Sequence, residues 1–184
     1  MPLSRRQLLL TSALLGSSAA VPSLALAAGG PESGERRLCL RNLHTEESLK
    51  LTYWENGCYV AENLEAINHL LRDHRSNQST TMDVTLIDSL YRLGRLIGSN
   101  EINIISGYRS PDSNELLRRQ SSGVAKNSFH LHGRALDVQF TGVSLRNSLK
   151  AALKHHRGGV GYYPRKSYGF IHLDTGNKRQ WGPI

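Results

Sequence analysis

The chain has 184 residues, enough for one domain with a real core, and its formal charge is +8. That balance suits an anionic partner. The basic residues form no cluster of the kind a nucleic-acid surface needs, and the one apolar run is too short and too rich in small residues to span a membrane.

That run opens the chain. Arg5 and Arg6 form a positive n-region, Leu8 to about Ala20 is apolar, Pro22 ends it, and Ala25-Leu26-Ala27 spaces small residues as a signal peptidase requires. Residues 1–27 read as an export signal. Ser4-Arg5-Arg6-Gln7-Leu8-Leu9 resembles the twin-arginine motif, which points to that route and to a periplasmic destination. No cysteine follows the cleavage site, so no membrane anchor is expected after cleavage. Loss of Arg5 and Arg6 lowers the formal charge from +8 to +6. Residues 28–36 form a short polar leader, and one domain is expected over 37–184. Cys39 and Cys58 would meet an oxidising compartment, where a bridge between them is permitted.

Strands are expected at Arg37–Leu43 and Leu49–Tyr53, with a short third one after the turn dipeptide Asn56-Gly57. Val60, Leu64, Ile67, Leu70 and Leu71 fall at helical spacing, which predicts a helix over about 61–74. Asp83 can cap a second helix that buries Leu86, Ile87, Leu90, Leu93 and Ile97 and ends at Gly98. Ile102–Ile105 is a short strand. Ser110-Pro111 opens a helix to about Gln120, followed by a polar loop through Ser128. Ala135–Phe140 reads as a strand and Ser144 caps a helix to about His155. Val160–Tyr163 and Gly169–Asp174 read as the last two strands, joined by a hairpin-length loop. This order favours an α+β domain with a largely antiparallel sheet over a doubly wound parallel one.

Two histidines and an aspartate carry the chemistry: His130, Asp137 and His172. Two imidazoles and a carboxylate make a three-ligand zinc set with one coordination position left open, which a hydrolytic zinc requires. Any chain with eight histidines offers some such trio, so spacing alone decides little. The surroundings decide more. Ser128-Phe129-His130-Leu131-His132-Gly133-Arg134-Ala135-Leu136-Asp137 resembles the S-x-H-x-x-G-x-A-x-D signature of the D-alanyl-D-alanine-type zinc peptidases, the M15 clan. Ser106-Gly107-Tyr108-Arg109-Ser110 resembles the S-G-Y-R element that precedes it. With Asn42-Leu43-His44-Thr45 and Gly158-Gly159-Val160-Gly161-Tyr162-Tyr163-Pro164, the mature chain looks like the murein endopeptidase K branch.

The resemblance implies the sheet-and-helix fold shared by Hedgehog and D-alanyl-D-alanine peptidases, one Zn²⁺ per chain on His130, Asp137 and His172, and peptidoglycan as the partner. It implies a catalytic and substrate-binding role for Arg109, whose guanidinium could steady a developing oxyanion. It places Ser128 at the substrate or its loop. Gly133 reads as a residue the loop needs without a side chain. His132 occupies a variable position and reads as flanking; His44 reads as structural; His69, His74, His155 and His156 read as solvated or capping. Tyr162 and Tyr163 read as packing, with substrate contact as the alternative. Several relatives carry a carboxylate three residues before the last histidine, where this chain has Gly169. Asp174 is the nearest substitute, on the same strand face as His172 and ~7 Å along the chain. It could act as the base or orient a ligand. The implied reaction is hydrolysis of peptide cross-links. The rivals are a D-alanyl carboxypeptidase or dipeptidase, with Arg134 or Arg165 as carboxylate anchor, and a wall-binding module whose zinc is structural only.

Overall fold

The computed structural model describes residues 34–121, 123–164 and 169–183. The export signal, the leader as far as residue 33, and Arg165 lie outside these. The described residues form one compact unit. The elements are β1 (Arg36–Asn42), β2 (Ser48–Glu55), β3 (Cys58–Tyr59), α1 (Ala61–Leu70), α2 (Val84–Ile97), β4 (Ile102–Ser106), α3 (Pro111–Gln120), a 3-10 turn (Phe129–His132), β5 (Ala135–Phe140), α4 (Leu145–His155), β6 (Gly159–Tyr163), β7 (Phe170–Asp174) and β8 (Arg179–Trp181).

The strands form one sheet in the order β3-β2-β1-β4-β5-β7-β6-β8. The pairings β1–β4 and β6–β8 are parallel and the other five are antiparallel. This is the expected α+β domain. α2 follows its sequence closely. Asp83 accepts from the amide of Thr85 at 2.9 Å, Leu86, Ile87, Leu90 and Leu93 are buried, and Gly98 ends the helix in the left-handed conformation at φ 70°. These side chains join Leu40, Ile104, Leu136, Val138, Ile171 and Leu173 of the central strands in one core. Each large aliphatic side chain buried there contributes about 1.5–3 kcal/mol.

One expectation is corrected, one strand is new, and the open question of the two cysteines is answered. α1 stops at Leu70 instead of running to 74. The reason is Asp73, whose carboxylate accepts from the amide of Arg75 at 3.0 Å and the hydroxyl of Ser76 at 3.1 Å, and so turns the chain. A final strand, β8, was not anticipated, because Arg179-Gln180-Trp181 has no apolar alternation and is mostly exposed. Cys39 and Cys58 are both free. They sit on β1 and β3 with β2 between them, and Cys39 faces Lys50 whereas Cys58 faces Glu55, so two strand spacings and five residues of offset put their backbones roughly 19 Å apart. That exceeds the ~7 Å over which a disulfide can reach.

Candidate metal centre

The sheet lines up its chemistry in one lateral row. Ser106 of β4 faces Asp137 of β5, Asp137 faces His172 of β7, His172 faces Gly161 of β6, and Gly161 faces Trp181 of β8. Cross-strand partners share a face, so Asp137 and His172 project together without help from any loop. His130 reaches them from the 3-10 turn, not from the end of an open loop. Ser128 caps that turn, its hydroxyl accepting from the amide of His130 at 3.4 Å. Gly133 closes it at φ 64°, where an added Cβ would meet the carbonyl oxygen of Thr81 at 2.5 Å. The expected need for a residue without a side chain is met.

The two motifs are tied to each other. The amide of Arg109 donates to the carbonyl of His130 at 3.1 Å, and Nδ1 of His130 donates to the carbonyl of Gly107 at 2.7 Å. A carbonyl can only accept, so this bond places the His130 proton on Nδ1 and leaves Nε2 as a lone pair. Nε2 lies 3.3 Å from Nδ1 of His172 and 3.5 Å from Oδ1 of Asp137, and the last two atoms are 2.8 Å apart. The three ligand atoms lie within 4.8 Å of one another. Nε2 of His172 points away, to Oδ2 of Asp174 at 3.1 Å. Both imidazoles are thus oriented from behind by acceptors, as the ligands of a metal site are.

Burial governs the charges here and is opposed unequally. It pushes the His130 imidazole down. For His172, burial would do the same, but hydrogen bonds to Asp137 and Asp174 outweigh it and carry the group up to about 9. For Asp137, burial would raise the carboxyl, but the two histidines hold it far below the usual carboxylate range. A carboxylate and two imidazole nitrogens, nearly shut off from water and converging on one point, form a donor set that fits a divalent cation such as zinc.

Asp174 is fully buried. Besides His172 it binds the Arg179 guanidinium through both oxygens, at 3.1 and 2.7 Å, and accepts from the amides of Gly159 at 3.2 Å and Gly176 at 2.8 Å. Arg109, 9% exposed, holds Oδ1 of Asn114 and Oγ of Ser106, each at 3.3 Å, and stands 4.0 Å from Oδ2 of Asp137. Its approach is fixed by Asp73, which accepts from both the amide and the hydroxyl of Ser110 at 2.9 and 2.7 Å. His132 is exposed, as a flanking residue should be. His156 is the C-cap residue of α4, as the capping reading has it, but it is buried and not solvated, and Nε2 donates to the carbonyl of Asp174 at 2.8 Å. Arg134 is turned away from the trio, bound to Thr175 and lying over the ring of Phe129. Two residues of this surrounding escaped the sequence reading: Trp181, against the His172 ring, and Arg179, bound to Asp174. Both lie on the unanticipated β8, and nothing local in the sequence marks them.

This sheet, with a buried His–Asp–His set on one face, is the arrangement expected of an M15-clan peptidase. A family model described as peptidoglycan L,D-endopeptidase MepK matches residues 31–181. The peptidoglycan L,D-endopeptidase MepK of Escherichia coli (strain K12) is 44% identical over 179 residues, covering 97% of this chain and 97% of that protein. A protein from Haemophilus influenzae named "Probable peptidoglycan L,D-endopeptidase MepK" is 40% identical over 148 residues, 79% of this chain and 78% of its own. The chain belongs to the MepK family of M15 peptidases.

Proposed function

We propose that the protein is a zinc-dependent murein endopeptidase that hydrolyses peptide cross-links of peptidoglycan after export to the periplasm by the twin-arginine route. The observation that carries this reading is the convergence of His130 Nε2, His172 Nδ1 and Asp137 Oδ1, with both outer ring nitrogens already engaged. These three residues would hold the ion. A zinc with an open position lowers the pKa of water to roughly 7 and polarises a scissile carbonyl. Arg109 presents its guanidinium beside the trio, where it can bind the carbonyl oxygen as charge gathers on it. Asp174, closed off by Arg179 and two backbone amides, is assigned to orienting His172 instead of moving protons. Ser128 is assigned to shaping the His130 turn, through the bond its hydroxyl accepts.

The L,D designation of the relatives favours one bond. Of the two common cross-links, diaminopimelate to diaminopimelate joins an L to a D centre, whereas D-alanine to diaminopimelate joins two D centres. A carboxypeptidase would need an anchor for the terminal carboxylate, and the engagement of Arg134 with Thr175 and Phe129 argues against that residue.

The test is digestion of purified sacculi by the mature chain, with products resolved by mass. Cross-linked dimers should fall to monomers, a chelator should stop the reaction, and added zinc should restore it. His130→Ala should lose both zinc and activity. Metal-free wild type that still cleaves would overturn the zinc assignment. Loss of terminal D-alanine with cross-links intact would favour the carboxypeptidase. Sacculus binding without peptide release, zinc being present, would favour the wall-binding module.

A further inference from the structure

Tyr163 ends β6 on the face that carries the trio, two residues beyond Gly161 and opposite Phe170, on whose ring it stacks with centroids 4.7 Å apart. Its hydroxyl does not run straight out. It accepts a hydrogen bond from the indole N–H of Trp181 at 2.7 Å. Trp181 in turn lies against His172, ring centroids 5.1 Å apart. The indole fits there because Gly161 beneath it has no side chain; an added Cβ would meet ring atoms at 2.6–2.8 Å. Trp181 therefore draws the Tyr163 hydroxyl back toward the row that holds His172 and Asp137.

The direction of that bond matters. An indole N–H can only donate, so it takes an acceptor site on the phenolic oxygen and leaves the O–H to donate elsewhere. Among the described residues no acceptor receives it. The O–H is left as an unused donor on the sheet face where, under the peptidase reading, a carbonyl oxygen would gather negative charge. Arg109 approaches the same centre from the β4 side of the row and Tyr163 from the β6 side.

We propose that Tyr163 is a catalytic residue whose hydroxyl, held by Trp181, donates a hydrogen bond to the oxygen of the scissile carbonyl, pairing with Arg109 as an oxyanion hole. The proposal rests on the peptidase reading above. The phenol keeps its proton throughout and forms no covalent bond. Trp181 is a positioning residue that acts through Tyr163.

The experiment compares zinc-loaded wild type, Tyr163→Phe and Trp181→Phe on a purified cross-linked muropeptide. Tyr163→Phe keeps the ring and its stacking and loses only the donor. Its kcat should fall on the order of 10²–10³-fold with KM, zinc content and melting temperature close to wild type. Trp181→Phe keeps an aromatic ring over His172 but loses the N–H, and should lower kcat by a smaller factor with zinc retained. Calorimetry with a phosphinate analogue of the cross-link supplies a readout apart from turnover. Its affinity should weaken on the order of 10²-fold in Tyr163→Phe, while affinity for the cleaved peptide is unchanged. Wild-type kcat or undiminished phosphinate affinity in Tyr163→Phe overturns the proposal alone. A zinc-loaded wild type that leaves the muropeptide intact overturns the peptidase reading and this proposal with it.

Discussion

Asp174 and His172 share a strand face, yet the Asp174 carboxylate meets the imidazole on Nε2, the nitrogen that points away from His130 and Asp137. Both its oxygens are engaged by Arg179, and the side chain is shut off from solvent. Burial would raise this carboxyl, but His172, Arg179 and the Gly176 amide hold it far below the usual range. A group so placed holds a ring in position. Asp174→Asn should therefore weaken zinc affinity roughly 10- to 100-fold, as read by competition with a chromophoric chelator, and excess zinc should return turnover toward wild type. Normal zinc affinity with turnover reduced about 10²-fold or more would make Asp174 the base after all. The sequence offered both roles, because strand periodicity gives the face a residue occupies but not which imidazole nitrogen it meets.

Elements with local signals were legible. The caps Asp83, Ser110 and Ser144 each accept from an amide in the first turn, and their helices begin where these residues predict. The end of α1 was not legible, because Asp73 turns the chain with the help of Ser110, a partner far along the sequence. The 3-10 turn that carries His130 lies between these cases. Its residues were readable from the motif, but its helical form was not, since a single turn leaves no periodicity. Gly133 tests how tightly that turn is specified. Gly133→Ala should destabilise the domain by about 1–3 kcal/mol in urea denaturation, because alanine must take φ 64° and crowd Thr81. An unchanged midpoint would mean that the turn can rebuild around a side chain.

Across the whole molecule, the β1–β2 turn and the segment after α1 meet through His44 and His74, whose rings stack 3.9 Å apart. Burial first, then the charges of His44, Arg75 and Arg109, push His74 down to about 4 against the pull of Asp73. The folded chain thus takes up this proton less readily than the unfolded one. The stability contributed by neutral His74 is complete above about pH 6.5 and is lost as pH falls toward 4. His74→Phe keeps the stack and removes the titration, so its melting temperature should drop less than that of wild type between neutral pH and about pH 4.5. Equal drops would show that His74 carries no part of the acid sensitivity. The trio itself was readable from residue types in an ordered motif; the row that aligns it was not, because strand register is set by distant partners. That row has a consequence for how the chain matures. A slip of one residue between β5 and β7 would turn His172 to the opposite face from Asp137. The candidate metal centre is in effect a lock whose pins align only when strands far apart in the chain have paired in register. Under the proposed function, a nascent or half-folded chain would have no cutting edge until β5 and β7 had paired.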